Sequence, residues 1–224
     1  MSKIKTVVIK SMKSANNVKA SYAKWSQTYD HVENPTRDLD KKVIRKILVN
    51  LEGKDVIEAG CGTGKNTTWL AKTAKSVISF DLSKEMLNVA RQKISSANVK
   101  FVQHDITKKW IFPNDCCDVV TINLVLEHIE NIDFVFKEAY RVLRKNGNLF
   151  VCELHPDKQK KGTKARFTET KGNAIVEIDS YYHSKEDYSK AGNICGFKNI
   201  TLKDCFSEKE SNQIPRLLSV LLKK

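Results

Sequence analysis

No stretch of this 224-residue chain approaches the roughly 20 consecutive apolar residues of a membrane-spanning helix. Residues 1–13 are basic around a short Val7-Val8-Ile9 run and lack a signal-peptide core and cleavage site, so they read as a flexible or weakly helical lead-in. The six cysteines, Cys61, Cys116, Cys117, Cys152, Cys195 and Cys205, form no C-x-x-C, and no histidine pair has zinc spacing, which excludes the common structural metal motifs. Several fall in apparent strands, as buried small hydrophobes do, and this suits a reducing cytoplasm without disulfides. Repeats and low-complexity tracts are absent. Arginine is scarce: seven of the 39 basic residues. The formal charge of +13 would suit a polyanion partner, but nucleic-acid sites favour arginine forks and interleaved aromatics, and the lysines are scattered. The one local cluster is Lys158, Lys160, Lys161, Lys164 and Arg166, so RNA stays open as a partner class.

Apolar residues make up 41% of the chain and charged ones 29%, ordinary values for a globular domain large enough for one sizeable core. Residues 15–49 read as two helices broken near Asn34-Pro35. Strands and helices then alternate: strands at 55–59, 76–80, 99–103, 117–122 and 148–154, and helices at 64–73, 84–94 and 134–143. The last of these strands is entered through a turn at Asn146-Gly147. Such alternation implies a doubly wound α/β fold, a mostly parallel sheet with helices on both faces. After residue 154 the rhythm changes. Segments 166–170 and 174–179 flank Lys171-Gly-Asn173 as a hairpin. Ser184 caps a helix that stops near Gly192, and strands at 197–206 and 216–222 close the chain as a second hairpin.

The densest signal is DVIEAGCGTGKNTT at 55–68. A short apolar strand ends near Glu58, three alternating glycines follow, and a helix opens. This presents bare backbone to a nucleotide-like ligand. A P-loop would need glycine at Ala59 and serine or threonine at Asn66; a dinucleotide fingerprint would need glycine at Lys65. What remains is acid-x-G-x-G-x-G, beside whose acid a pyrophosphate would meet like charge. Asp81 ends the next strand, 21 residues after Gly60, where an acid takes ribose hydroxyls; the alternative N-cap duty is open to Ser83. Later strands end in Gln103-His-Asp-Ile106 and in Asn123-Leu-Val-Leu-Glu-His128, at the sheet edge where open α/β sheets bind ligands.

In order and spacing these motifs resemble class I S-adenosylmethionine (SAM) methyltransferases, in particular the small-molecule, type 11-like branch carrying a VLEH segment. The resemblance covers about residues 20–224. It implies a Rossmann-like seven-stranded sheet, mostly parallel, with an antiparallel C-terminal strand beside the fifth. It implies an N-terminal helical lid or extension at 1–50 and a SAM-binding domain at 51–224 with a hairpin insertion near 157–183. Glu58, Ala59, Gly60, Cys61 and Gly62 would then form the cofactor turn, with Glu58 suiting the α-ammonium. Asp81, Leu82 and Met86 would hold the ribose side, Asp105 and Ile106 the adenine, and Asn123, Leu124 and His128 the methionine side. Tyr22, Trp25 and Tyr29, on roughly one helical face, resemble the aromatic lid pattern that ends in Tyr-Asp and would sit near the sulfonium. Base candidates are His155, His183 and His128. The [DNS]-P-P-[YFW] tetrapeptide of amino-directed nucleic-acid enzymes is absent. The implied activity is methyl transfer from SAM, yielding S-adenosylhomocysteine (SAH), to a small-molecule acceptor. An RNA acceptor and a silent partner protein are the alternatives. A monomer or homodimer without a membrane association is expected.

Overall fold

The computed structural model describes residues 8–9, 15–168, 175–207 and 214–224. Its elements in chain order are β1 (Val8–Ile9), α1 (Ala15–Trp25), α2 (Pro35–Ile47), β2 (Asp55–Ala59), α3 (Thr67–Thr73), β3 (Ser76–Asp81), α4 (Lys84–Lys93) and β4 (Val99–Gln103). There follow β5 (Cys117–Asn123), a 3-10 turn at Leu126–His128, α5 (Asp133–Val142), β6 (Leu143–Leu154), α6 (Pro156–Lys160), β7 (Arg166–Thr168), β8 (Ile175–Glu177), α7 (Lys185–Cys195), β9 (Lys198–Cys205) and β10 (Leu217–Lys223).

Seven strands form the main sheet in the order β4-β3-β2-β5-β6-β10-β9. The five from β4 to β6 pair in parallel, whereas β10 runs antiparallel between β6 and β9. This is the Rossmann-like arrangement implied by the motifs. Because side chains alternate along a strand, neighbouring residues feed opposite faces. Val56, Val119 and Phe150 pack with Val43 and Ile44 of α2 and Leu70 of α3. Ile57, Val120 and Val151 pack on the other face with Phe136 and Ala139 of α5 and Tyr188 of α7. So α2, although within the expected lid, is built into the core of the main sheet.

Local chemistry fixes the ends. Asn34 accepts from the Arg37 amide and Pro35 opens α2; Ser83 accepts from the Met86 amide at the start of α4; Ser184 and Asp187 form a reciprocal capping box on α7. Helix α7 runs past Gly192 to a left-handed cap at Gly196 (φ 91°). Gly192 instead lies inside the helix, where a Cβ would come within 2.4 Å of Leu222. The expected turn at Asn146-Gly147 lies within β6, which begins at Leu143 and shifts register against β5 there.

The lead-in is corrected at one point: Val8–Ile9 is a strand, paired in parallel with Ile175 and Val176 of β8. With β7 antiparallel to β8, this makes a separate three-stranded sheet. The expected hairpin tip at 171–173 lies outside the described residues. No helix among the described residues is long and apolar enough to cross a membrane.

Phe136 is fully buried at the centre of the α5 face. Phe136→Ala should lower unfolding free energy by about 3–5 kcal/mol in denaturant titration, with the fold retained.

Candidate cofactor and acceptor site

The carboxyl ends of β2 to β5 open into one cleft. Here β2 stops at Ala59 and the chain turns through Gly60. The amides of Gly60 and Cys61 both donate to the Phe80 carbonyl, at 2.8 and 3.1 Å. Gly60 has φ +76°, and a Cβ there would lie 2.2 Å from Val125 Cγ2. Only glycine lets the turn pass this close to the β5 loop. Leu124 of that loop also has a positive φ, 57°, a strained setting for a branched side chain at the tip of β5.

Asp81 ties the turn to β3. One carboxylate oxygen accepts from the Gly62 amide at 2.8 Å and the other from the Ser83 amide at 2.9 Å. Ser83 performs the helix capping, which frees Asp81 to face the cleft. Burial pushes the Asp81 carboxyl up, and the backbone donors pull it back only in part. Glu58 is buried on the same wall. One oxygen accepts from the hydroxyls of Thr67 and Ser79, and burial raises its pKa to about 7. Asp105 accepts from the Thr107 amide and hydroxyl, with Ile106 beside it. Leu82, Met86, Cys61, Asn123 and Leu124 complete the same cleft.

Asp40, Asn66, Arg37 and Thr63 are among the further polar residues of the cleft that the sequence did not mark as site residues. Asp40 on α2 is 4% exposed and accepts from the side-chain amides of Asn66 and Asn123. Burial raises its carboxyl against those bonds. The carbonyl oxygens of Asn66 and Asn123 are buried without partners. Arg37, one turn before Asp40, covers the Tyr29 ring at 4.0 Å and donates to the Tyr29 and Val32 carbonyls, while its Nε is buried without a partner. Thr63 donates to Asp30 at 2.8 Å, so the Tyr29-Asp30 pair is fastened to the glycine turn.

The three aromatics divide. Tyr22 and Tyr29 line the cleft; Trp25 points into a small separate core, stacked on Phe167 at 5.3 Å. Ala59 is likewise behind the cleft wall, 1% exposed, in the main core. The histidines divide as well. His128 lines the cleft. Its Nδ1 lies 2.9 Å from the Asp179 carbonyl, which can only accept, so Nδ1 carries the proton. Nε2 lies 2.9 Å from the Tyr22 hydroxyl. His155 and His183, the other two base candidates, do not line the cleft. Nδ1 of His155 caps α6 by accepting from the Asp157 amide, and its Nε2 meets Asp204 at 3.1 Å. Burial lowers the His155 pKa, with Asp204 opposing. His183 donates to the Ile129 carbonyl at 2.8 Å, holding the insertion's return limb against the 3-10 turn.

Residues 57–151, which supply most of the cleft's lining, match a family described as a methyltransferase domain. Over these residues the chain is similar to the SAM-dependent methyltransferases. Over 115 residues it is 31% identical to a demethylmenaquinone methyltransferase of Tropheryma whipplei (strain Twist), covering 50% of this chain and 46% of that one. The chain spans about half the length of the curated relatives it matches first. Among solved structures it is similar to one described as a DhpI-SAM-HEP complex (TM-score 0.74, 19% identity, 96% of this chain and 100% of that chain). Another is a SAM-dependent methyltransferase from Mesorhizobium loti (TM-score 0.71, 18% identity, 83% and 98%). At these identities the likeness is one of fold.

Two outcomes follow from this geometry. Gly60→Ala, forced into a left-handed backbone and against Val125, should lose about 2–4 kcal/mol of stability in denaturant titration. Glu58 binds its proton more tightly folded (about 7) than at its ordinary 4.5. Its contribution to stability is therefore full below the ordinary value and lost as pH rises through about 7. Melting curves of wild type and Glu58→Gln should diverge across that window, only the wild type losing this contribution.

Proposed function

We propose that this chain transfers the methyl group of SAM to a small-molecule acceptor. The observation that carries the proposal is the paired use of Asp81, which pins the glycine turn by one edge of its carboxylate and turns toward the cleft. Both oxygens keep lone pairs free for ribose hydroxyls. Asp105, held by Thr107, is the acceptor for the adenine amino group, with Ile106 against the ring.

The amino-acid end of the ligand is a zwitterion beside a sulfonium, and the orphaned groups of the cleft suit it. Asp40 with the unpartnered oxygens of Asn66 and Asn123 offers acceptors for an ammonium. The unpartnered Nε of Arg37 offers a donor for a carboxylate. Glu58, whose one oxygen already serves Thr67 and Ser79, contributes charge at longer range. SAM, once bound, supplies an electrophilic methyl group for in-line displacement. The protein's share is positioning: the α1 lid, latched by Tyr22 to His128 and by Asp30 to Thr63, excludes water and orients the acceptor.

Calorimetric titration should give micromolar SAM affinity for the wild type. Asp81→Ala should weaken it by about 100-fold or more, since both the ribose acceptor and the turn's tether go. Arg37→Met should weaken it by about tenfold. Full affinity in Asp81→Ala would contradict the assignment.

A further inference from the structure

Two elements line the cleft that the proposed cofactor contacts leave unused. Val18, Lys19 and Tyr22 come from α1, and Val125, His128 and Ile129 from the loop after β5. Residues three and four apart share a helix face, so Val18 and Lys19 stand one turn before Tyr22 on the side turned to the cleft. The Tyr22 hydroxyl, 2.9 Å from His128 Nε2, brings the two elements together. Burial raises the Tyr22 pKa and keeps its phenol neutral.

Charge is shared unevenly along the lining. Its carboxylates, Asp40, Glu58, Asp81 and Asp105, stand on α2, on β2, at the end of β3 and just after β4; none is on α1 or the β5 loop. Each already accepts hydrogen bonds from its own neighbours. Among the described residues the cationic side chains of the cleft are Arg37, Lys65 and Lys19. Arg37 donates to the Tyr29 and Val32 carbonyls, and Lys65 meets Asp38 at 2.6 Å. Lys19 is half-buried, and no carboxylate among the described residues pairs with it. It also lies outside residues 57–151, so it belongs to this chain's own lid rather than to the matched domain.

A cation held partly out of water, beside apolar and neutral polar groups, is completed by one negative charge. Resting on the methyltransferase reading above, we infer that the methyl acceptor is an organic acid, bound as its monoanion with the carboxylate on Lys19 and its apolar body against Val18, Val125 and Ile129. A cationic acceptor would meet Lys19 with no carboxylate of α1 or the β5 loop to offset it. A dianion would find a single cation there.

Three probes of one shape separate the charges: benzoate, benzyl alcohol and benzylamine, titrated by NMR into protein saturated with SAH, which occupies the Arg37 end of the cleft. The expected order is benzoate tightest, by about tenfold over the alcohol, with benzylamine weakest. Lys19→Met should bring benzoate and the alcohol within about twofold. Lys19→Arg, which keeps the charge, should retain the preference for benzoate and shows that the first variant lost a cation rather than its fold. Equal or tighter binding of the alcohol or the amine, no binding of benzoate, or a benzoate preference that survives Lys19→Met would overturn the proposal. Loss of SAH affinity in Lys19→Met would also overturn it, by moving Lys19 to the cofactor. Failure of SAH to bind the wild type would instead strike at the methyltransferase reading itself.

Discussion

The Asp81 carboxylate is the joint on which the site depends. A glycine turn with positive φ at Gly60 is intrinsically loose, because glycine loses more backbone freedom on folding than any other residue. Here it is fixed by three hydrogen bonds to the end of one neighbouring strand: two amides on the Phe80 carbonyl and one on Asp81. The same carboxylate orients the Ser83 turn that opens α4. One buried acid thus sets the spacing between two strand ends and presents its remaining lone pairs to the space between them. Its charge is disfavoured by burial, and the backbone donors make it tolerable.

Around that joint the protein collects carboxyl groups in low dielectric. Asp40, Glu58 and Asp81 all have proton affinities raised mainly by burial. Ordinary cores avoid such a concentration. A cleft meant for a sulfonium and an ammonium tolerates it, since a bound cation compensates the desolvated acids. Tyr22 to His128, Asp30 to Thr63 and Lys93, and Arg37 to Tyr29 and Val32 are among the contacts that fasten the N-terminal segment. It also has its own small core of Trp25, Phe167 and Ile178.

The fold was legible where local pattern and tertiary role agree. Apolar runs ending in an acid or amide marked β2, β3 and β5 to within a residue, because parallel strands buried on both faces read as continuous hydrophobic stretches. Turn residues were legible because glycine with positive φ leaves a compositional trace. Pairings over long sequence distance left none: two residues near the N-terminus joining β8 could not be read from either segment. Arg37 and Asp40 were missed because charged residues on an amphipathic helix read as its solvent face, and only the fold shows that α2 lies against the cleft. His155 and His183 misled for a related reason. A histidine after a strand's carboxyl end is well placed for chemistry, but a cap on a short helix and a carbonyl on the facing turn claimed these two. Gly192 misled because helix-stopping glycine and close-packing glycine are the same residue in sequence.

The central claim is that one cofactor binds across the Asp81-tethered turn and draws the lid onto it. Amide hydrogen exchange with and without SAH tests this most directly. The account predicts slowed exchange at 60–63, 81–83 and 105–107 together with the α1 lid, and little change in β9 and β10. Protection confined to another surface, or none at the glycine turn with SAH bound, would contradict it.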